Sequence, residues 1–254
     1  MPYPPDEHVL RDLRATSWLE AEDHAVAEMP VDVAVLDASG AASLGALATL
    51  VDLCCARVAF HAAAGSWIAT ADLSLHLTQP VPVGGTARVD AWLLKAGSKL
   101  ISIAVDLHGA GRGMVSFARI PREASEVERP PVVIGERSSM ASSGPPLDVN
   151  VTERMGLRVT GDGVELDRHD YVRNSFGTIN GGVMGLLVTA AAEAATGGVG
   201  SDLTLRYHGQ TKVGPARATA SVLRPDVCEV RVVDTGADDL LLATAYVVTG
   251  RAAG

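Results

Sequence analysis

The stretch Asn174-Ser-Phe-Gly-Thr-Ile-Asn-Gly-Gly-Val-Met-Gly-Leu-Leu-Val-Thr-Ala-Ala-Ala-Glu-Ala-Ala195 decides the fold. It opens on a small-residue loop, Gly177–Gly182, and runs from Val183 into an almost wholly apolar helix. A helix apolar on all sides belongs inside a fold, not on its surface. Extended chain precedes it, at Leu157–Val172, with Gly161-Asp162-Gly163 as a turn. Four strand-like runs follow: Leu203–Tyr207, Ala216–Leu223, Glu229–Val233 and Leu240–Val248.

The same order occurs upstream. Trp18–Val35 reads as extended, Asp37–Ser43 (DASGAAS) as a loop, and Leu44–Ala64 as an apolar helix. Strand-like runs follow at Ile68–Leu77, Thr86–Leu94, Leu100–Leu107 and Met114–Ile120, separated by Gly-rich turns. The spacing repeats as well. Glu28 to Ser43 is fifteen positions, as is Glu165 to Asn180, and nine more reach Asp52 in one half and Thr189 in the other. Ala71-Asp72-Leu73-Ser74-Leu75 then answers Ser201-Asp202-Leu203-Thr204-Leu205, and Gly85-Thr86-Ala87-Arg88 answers Gly214-Pro215-Ala216-Arg217.

Residues 121–150, rich in Pro, Ser, Gly and Glu, keep neither helical nor strand periodicity and read as a linker. They separate an N-terminal unit, 1–120 with its leading segment, from a C-terminal unit, 151–254. The expected class is α+β: two tandem units, each an antiparallel sheet wrapped around a central helix. Paired edge to edge, the units would form one continuous sheet.

Composition narrows the function. The 254 residues are 47% apolar and 20% charged, enough for a core and unlike a disordered chain. Thirty acidic against 21 basic residues give a net charge of −9, which argues against nucleic acid or an anionic membrane surface as partner. Three cysteines make no disulfide framework, and no Cys-x-x-Cys or His/Cys cluster suggests a metal. The first residues lack a signal-like apolar run, and Asp52, Arg57 and Glu193 interrupt the apolar stretches, so a cytoplasmic chain without a membrane span is expected.

Asn174-Ser-Phe-Gly-Thr-Ile-Asn180-Gly181-Gly182-Val resembles the signature loop of hotdog-fold acyl-CoA thioesterases of the phenylacetate-degradation type: an Asn, then Gly-Thr-hydrophobic-His-Gly-Gly. Ala46-Leu-Ala-Thr-Leu-Val-Asp52 and Ala69-Thr70-Ala-Asp72-Leu-Ser-Leu in the first half resemble the same family further along. The resemblance implies a double hotdog in which each active site is shared: an acid and a Ser or Thr from one unit, the Asn and helix-start N–H from the other. It also implies acyl-CoA as substrate, no cofactor, and a homo-oligomer of the doubled chain.

Laid over this chain, the retained parts are complementary. Asp52 and Thr70 stand in the first half, and Asn174, Asn180 and Gly181 in the second, with Thr178 and Gly182 as substrate-binding positions. The other composite site would hold Thr189, Gly200, Asp37 and Leu44, with no acid on the helix. One working and one degenerate site are therefore expected. Asn180 stands where the family has His; it can donate a hydrogen bond but cannot titrate near neutral pH.

Thioester hydrolysis puts negative charge on the carbonyl oxygen, which suits the unpaired N–H groups of a helix start. Asp52 could act as nucleophile or as general base on a water. Each residue also has a plainer reading. Asp52 could lie on a wet face or pair with Arg57, Asn174 could cap a turn, and Thr70 could simply favour a strand. Gly181-Gly182 could be only a tight loop. Glu193, one turn beyond Thr189, could stand in as the second site's acid or be a solvated or paired carboxylate.

Arg88, Lys95, Lys99, Arg206, Lys212 and Arg217 offer charge for CoA phosphates. An acyl carrier protein ester is a second possible substrate. A hydratase on acyl thioesters would want a His at the helix-start loops, and none is there. A non-catalytic module binding acyl-CoA or a small ligand is the rival to hydrolysis.

Overall fold

The computed structural model describes residues 3–120, 132–141, 144–161 and 163–250. In the first unit, a short helix α1 (Val9–Asp12) leads into a hairpin of β1 (Thr16–Ala21) and β2 (His24–Pro30). A 3-10 turn at Val33–Val35 precedes α2 (Leu44–Ala62), then β3 (Trp67–Leu77), β4 (Thr86–Ala96), β5 (Leu100–Leu107) and β6 (Gly111–Ile120). The tiny β7 (Ser138–Ser139) lies between the units. The second unit repeats the order: α3 (Val151–Arg154), β8 (Arg158–Thr160), β9 (Gly163–Leu166), α4 (Gly181–Thr196), β10 (Val199–Tyr207), β11 (Ala216–Arg224), β12 (Val227–Asp234) and β13 (Leu240–Gly250). A two-stranded hairpin thus precedes the central helix of each unit: in the first unit the sequence suggested one extended segment, in the second an extended segment broken by a turn at Gly161-Asp162-Gly163. Asp162, which the sequence reading put in a turn, lies outside the described residues.

All the described strands form one sheet, ordered β7-β1-β2-β4-β5-β6-β3-β10-β13-β12-β11-β9-β8. The units join where β3 runs antiparallel to β10, with Leu75 opposite Leu203, Leu73 opposite Leu205, and Asp72 opposite Arg206. Asp202 Oδ1 lies 2.9 Å from His76 Nδ1 across this seam. Each unit therefore buries the other's edge, as an isolated six-stranded half could not.

The sheet curls around α2 and α4, which pack against each other. Ser43 Oγ caps α2 by accepting from Ala46 N at 3.2 Å, and Asn180 Oδ1 caps α4 by accepting from Gly182 N at 2.9 Å. Gly197, with φ of 68°, ends α4 in the left-handed conformation. The helices touch through glycine: a Cβ on Gly45 would fall 2.7 Å from Leu186 Cα, and one on Gly182 would fall 2.8 Å from Thr49 Cα. Thr49 Oγ1 lies 2.9 Å from both the Gly45 and Gly182 carbonyls and bridges the two helices. By length and hydropathy Leu44–Ala62 could cross a membrane, but 72% of its apolar window is buried inside this fold.

The duplication reaches the hydrogen bonds of the loops. Asp37 Oδ1 accepts from Ser39 N and Ala41 N, and Asn174 Oδ1 accepts from Phe176 N and Thr178 N. Gly40 and Gly177 both take positive φ. The leading segments match too. His8 caps α1 and bonds Arg173 O at 2.9 Å, while Asn150 caps α3 and donates to Leu36 O at 2.7 Å. Leu36 and Arg173 directly precede Asp37 and Asn174. Each unit's leading segment is thus tied to the other unit's loop.

Residues 132–141 lie along β1: Ser138–Ser139 pairs with Ser17–Thr16, and Ile134 bridges Leu19. This part of the connecting segment covers an edge that would otherwise leave backbone groups unpaired.

Candidate active site

Asp52 sits midway along α2, 9% exposed, and Thr70 sits on neighbouring β3. Thr70 Oγ1 donates to Asp52 Oδ1 at 2.8 Å. From the other unit, the start of α4 comes up to this pair: a Cβ on Gly181 would lie 2.9 Å from Thr70 Oγ1 and 3.2 Å from Asp52 Oδ2. Burial raises the Asp52 carboxyl to a pKa of about 6, outweighing the hydrogen bonds from Thr70 and from Gly182 N–H that pull it down. Arg57 does not neutralise it, since its Nε is bonded to Ser17 Oγ at 3.0 Å. Asp52 is therefore a desolvated carboxylate without a countercharge in contact among the described residues.

Gly181 and Gly182 differ in why they are glycine. Gly182 N–H is engaged by the Asn180 cap and Asp52, and its missing side chain makes room for Thr49. Gly181 is the first residue of the helix, where an N–H has no intrahelical acceptor. Its missing side chain makes room at the Asp52–Thr70 pair. Tyr207, from β10, donates to Gly181 O at 2.6 Å and fixes this peptide.

These groups open on a cavity of about 840 Å³, lined by Asp52, Thr70, Asn174, Thr178, Asn180 and Gly181 among others. Its apolar wall includes Phe60, Trp67 and Phe176, with Trp67 edge-on to both phenyl rings at 5.8 and 5.2 Å. Val132, Val133 and Met140 of the connecting segment complete it. The cavity thus brings together Asp52, Thr70, Asn174, Thr178, Asn180 and Gly181. Asn174 spends its carbonyl oxygen on the turn, as Asp37 does, leaving the amide NH2 outside that turn. Thr178 Oγ1 accepts from Thr211 N at 2.8 Å, tying the loop to the strand connection. Gly182 packs behind the site.

The pseudo-equivalent place in the fold is filled. A Cβ on Gly200 would meet Leu44 Cδ2 at 2.9 Å and Thr189 Cγ2 at 3.1 Å. Leu44 is fully buried, and Thr189 Oγ1 is buried with no hydrogen-bond partner among the described residues. Glu193 Oε1 accepts from Gly200 N at 2.9 Å, and burial raises its carboxyl. It is a partly buried Glu held by the Gly200 N–H, with no ion pair among the described residues.

Two further cavity residues had no sequence signal pointing to them. Tyr3, from the leading segment, accepts from Asn180 Nδ2 at 3.3 Å, and Tyr207 lies under Gly181. Among the described residues, the cations of the cavity are Arg11 and Arg57. None of Arg88, Lys95, Lys99, Arg206, Lys212 and Arg217 lines it; Arg88, for example, is held by Glu28 and Asp90.

The Thioesterase superfamily model matches residues 40–116, from the loop before α2 into β6. No curated protein matches the chain. Among solved structures, it is similar to an acyl-ACP thioesterase from Bacteroides thetaiotaomicron, with 15% identity over 89% of this chain and 98% of that one and a TM-score of 0.59. It is likewise similar to the 12:0-ACP thioesterase from Umbellularia californica, with 11% identity over 91% and 98% and a TM-score of 0.60. A tesB protein from Mycobacterium avium subsp. paratuberculosis gives 13% identity over 94% and 96% and a TM-score of 0.58. Identities this low speak to fold, and the fold is that of two tandem hotdog units paired into one double hotdog.

Proposed function

We propose that this chain hydrolyses acyl-CoA thioesters to free acid and CoA at a single site between its two units. The observation that carries the reading is the meeting of Asp52 and Thr70 with Gly181 in one open cavity, while Leu44 fills the matching place in the other half. The acyl group would lie along the Phe60–Trp67–Phe176 wall, with its carbonyl at Gly181.

In this reading Asp52 is the general base. Its carboxylate takes a proton from a water as the water oxygen bonds to the thioester carbonyl carbon. The charge arriving on the carbonyl oxygen is held by Gly181 N–H at the positive end of α4. The tetrahedral intermediate then reforms its carbonyl, the C–S bond breaks, and the CoA sulfur leaves with the proton that Asp52 had taken. A carboxyl titrating at about 6 is charged at neutral pH yet basic enough for this work. Thr70, bonded to Oδ1, holds the carboxylate and leaves Oδ2 toward Gly181.

Release of CoA from short, medium, long and aryl acyl-CoAs tests the reading. Turnover of at least one ester is expected. Ligand-induced stabilisation by CoA esters without any release would instead make this a binding module.

A further inference from the structure

Asn180 stands at the head of α4, and both ends of its amide are used. Its Oδ1 accepts from Gly182 N at 2.9 Å, which turns Nδ2 away from the helix and onto Tyr3 Oη at 3.3 Å. A phenol that accepts one hydrogen bond still carries a proton to donate. Tyr3, Asn180, Gly181, Asp52 and Thr70 line the same cavity. We propose that Tyr3 is a catalytic residue, its hydroxyl donating to the thioester carbonyl oxygen as the partner of Gly181 N–H. The inference rests on the thioesterase reading and deepens it.

The leading segment is built to hold this hydroxyl in place. The Tyr3 ring meets the His8 ring edge-on at 5.4 Å. Arg11 donates from Nε to Pro5 O at 2.7 Å and from Nη2 to Pro4 O at 2.8 Å. His8 is fully buried and bonded to Arg173 O of the other unit. Burial and the Asp52 charge push the phenol pKa up, which keeps the proton on.

The duplication supplies an internal comparison. With His8 matched to Asn150, helix α1 falls on α3, and Arg14 falls on Gly156, both of positive φ. On that register Tyr3 falls on Pro145, which has no hydroxyl. The tyrosine is therefore found only in the half whose segment reaches the open site. A merely structural leading segment would not need that difference.

The test compares acyl-CoA hydrolysis by the full-length protein with Tyr3→Phe, Asn180→Ser and the double variant. Serine keeps a helix cap, as Ser43 does for α2, and lacks the amide donor to Tyr3. Tyr3→Phe should lower kcat about a hundred- to thousandfold, the scale for losing one oxyanion donor, with KM within about twofold and an unchanged melting temperature. Asn180→Ser should cost little further in the Tyr3→Phe background, because both act through one hydroxyl. Full kcat in Tyr3→Phe, a loss in KM alone, or independent additive losses would overturn the proposal and leave the hydrolase standing. A wild type that turns over no ester would remove the hydrolase reading, and this proposal with it.

Discussion

Leu44 and Gly181 each begin the central helix of their unit, and the Leu44 side chain fills against Gly200 the space that stays open at Gly181. The repeat gives two equivalent places, and this difference in side-chain volume fills one of them and leaves a cavity at the other. The missing acid completes the asymmetry, since Thr189 occupies the helix position that Asp52 holds in the other half.

Gly181 and Gly182 should respond differently to alanine. Gly181→Ala pushes a methyl onto Thr70 Oγ1 and Asp52 Oδ2, so turnover should fall at least about tenfold with little loss of stability. Gly182→Ala pushes onto Thr49 Cα, where only backbone can yield, and should cost about 1–3 kcal/mol of stability. Thermal melts beside steady-state rates check both. Similar melting losses in the two variants would contradict the division of roles.

The pH profile follows from the buried carboxyl. Asp52 must be charged to act as a base, so kcat/KM should rise with pH through an apparent value of about 6. Thr70 lowers that value through its hydrogen bond, so Thr70→Val should move the midpoint upward and reduce the rate. An unmoved midpoint in Thr70→Val would show that some other group controls the profile.

Asp52 also weakens the fold it serves. Its folded pKa is raised above the unfolded one, so the native state binds the extra proton between about 6 and about 4 and gains stability as pH falls through that window. At neutral pH the buried charge is a net cost, bounded at about 3 kcal/mol by the size of the shift. Asp52→Asn should therefore melt higher than wild type at pH 7, a difference that shrinks toward pH 4.

His8 works in the opposite direction. Burial lowers its pKa, outweighing the bond to Arg173 O that raises it, and with Nδ1 accepting from Leu10 N the ring is held neutral. The unfolded chain takes up a proton below about 6.5 where the native state does not, so stability is lost as pH falls below that value. His8→Asn installs the cap that Asn150 uses in the second unit. It should match wild-type stability at pH 7.5 and exceed it at pH 5.5, as denaturant midpoints at the two pH values would show.

Much of this architecture was legible in the sequence because duplication writes everything twice. The apolar helices, their loops and the Asp72/Asp202 strands were matched by spacing alone, and the complementary survival of Asp52 with Gly181 pointed to one open site. The first hairpin was not separated, because β1 and β2 are joined by only Glu22 and Asp23, with no Gly or Pro to mark the turn, whereas glycines marked the turn of the second. Tyr3 carried no signal either. It lies 177 positions from Asn180 and reaches the site only because His8 and Arg11 fold the leading segment over it. Asn174 gave an ambiguous signal for a physical reason: Asx turns and catalytic loops use the same residue, and here its oxygen holds the turn while the residue lines the cavity.

The central claim is a single working site, and the most direct measurement is CoA release by Asp52→Asn beside Thr189→Ala, each at saturating substrate. Asp52→Asn should lose nearly all turnover while remaining folded, and Thr189→Ala should keep the wild-type rate within about twofold, since nothing links it to the open cavity. Equal losses in the two variants, or full activity without the Asp52 carboxylate, would contradict the account.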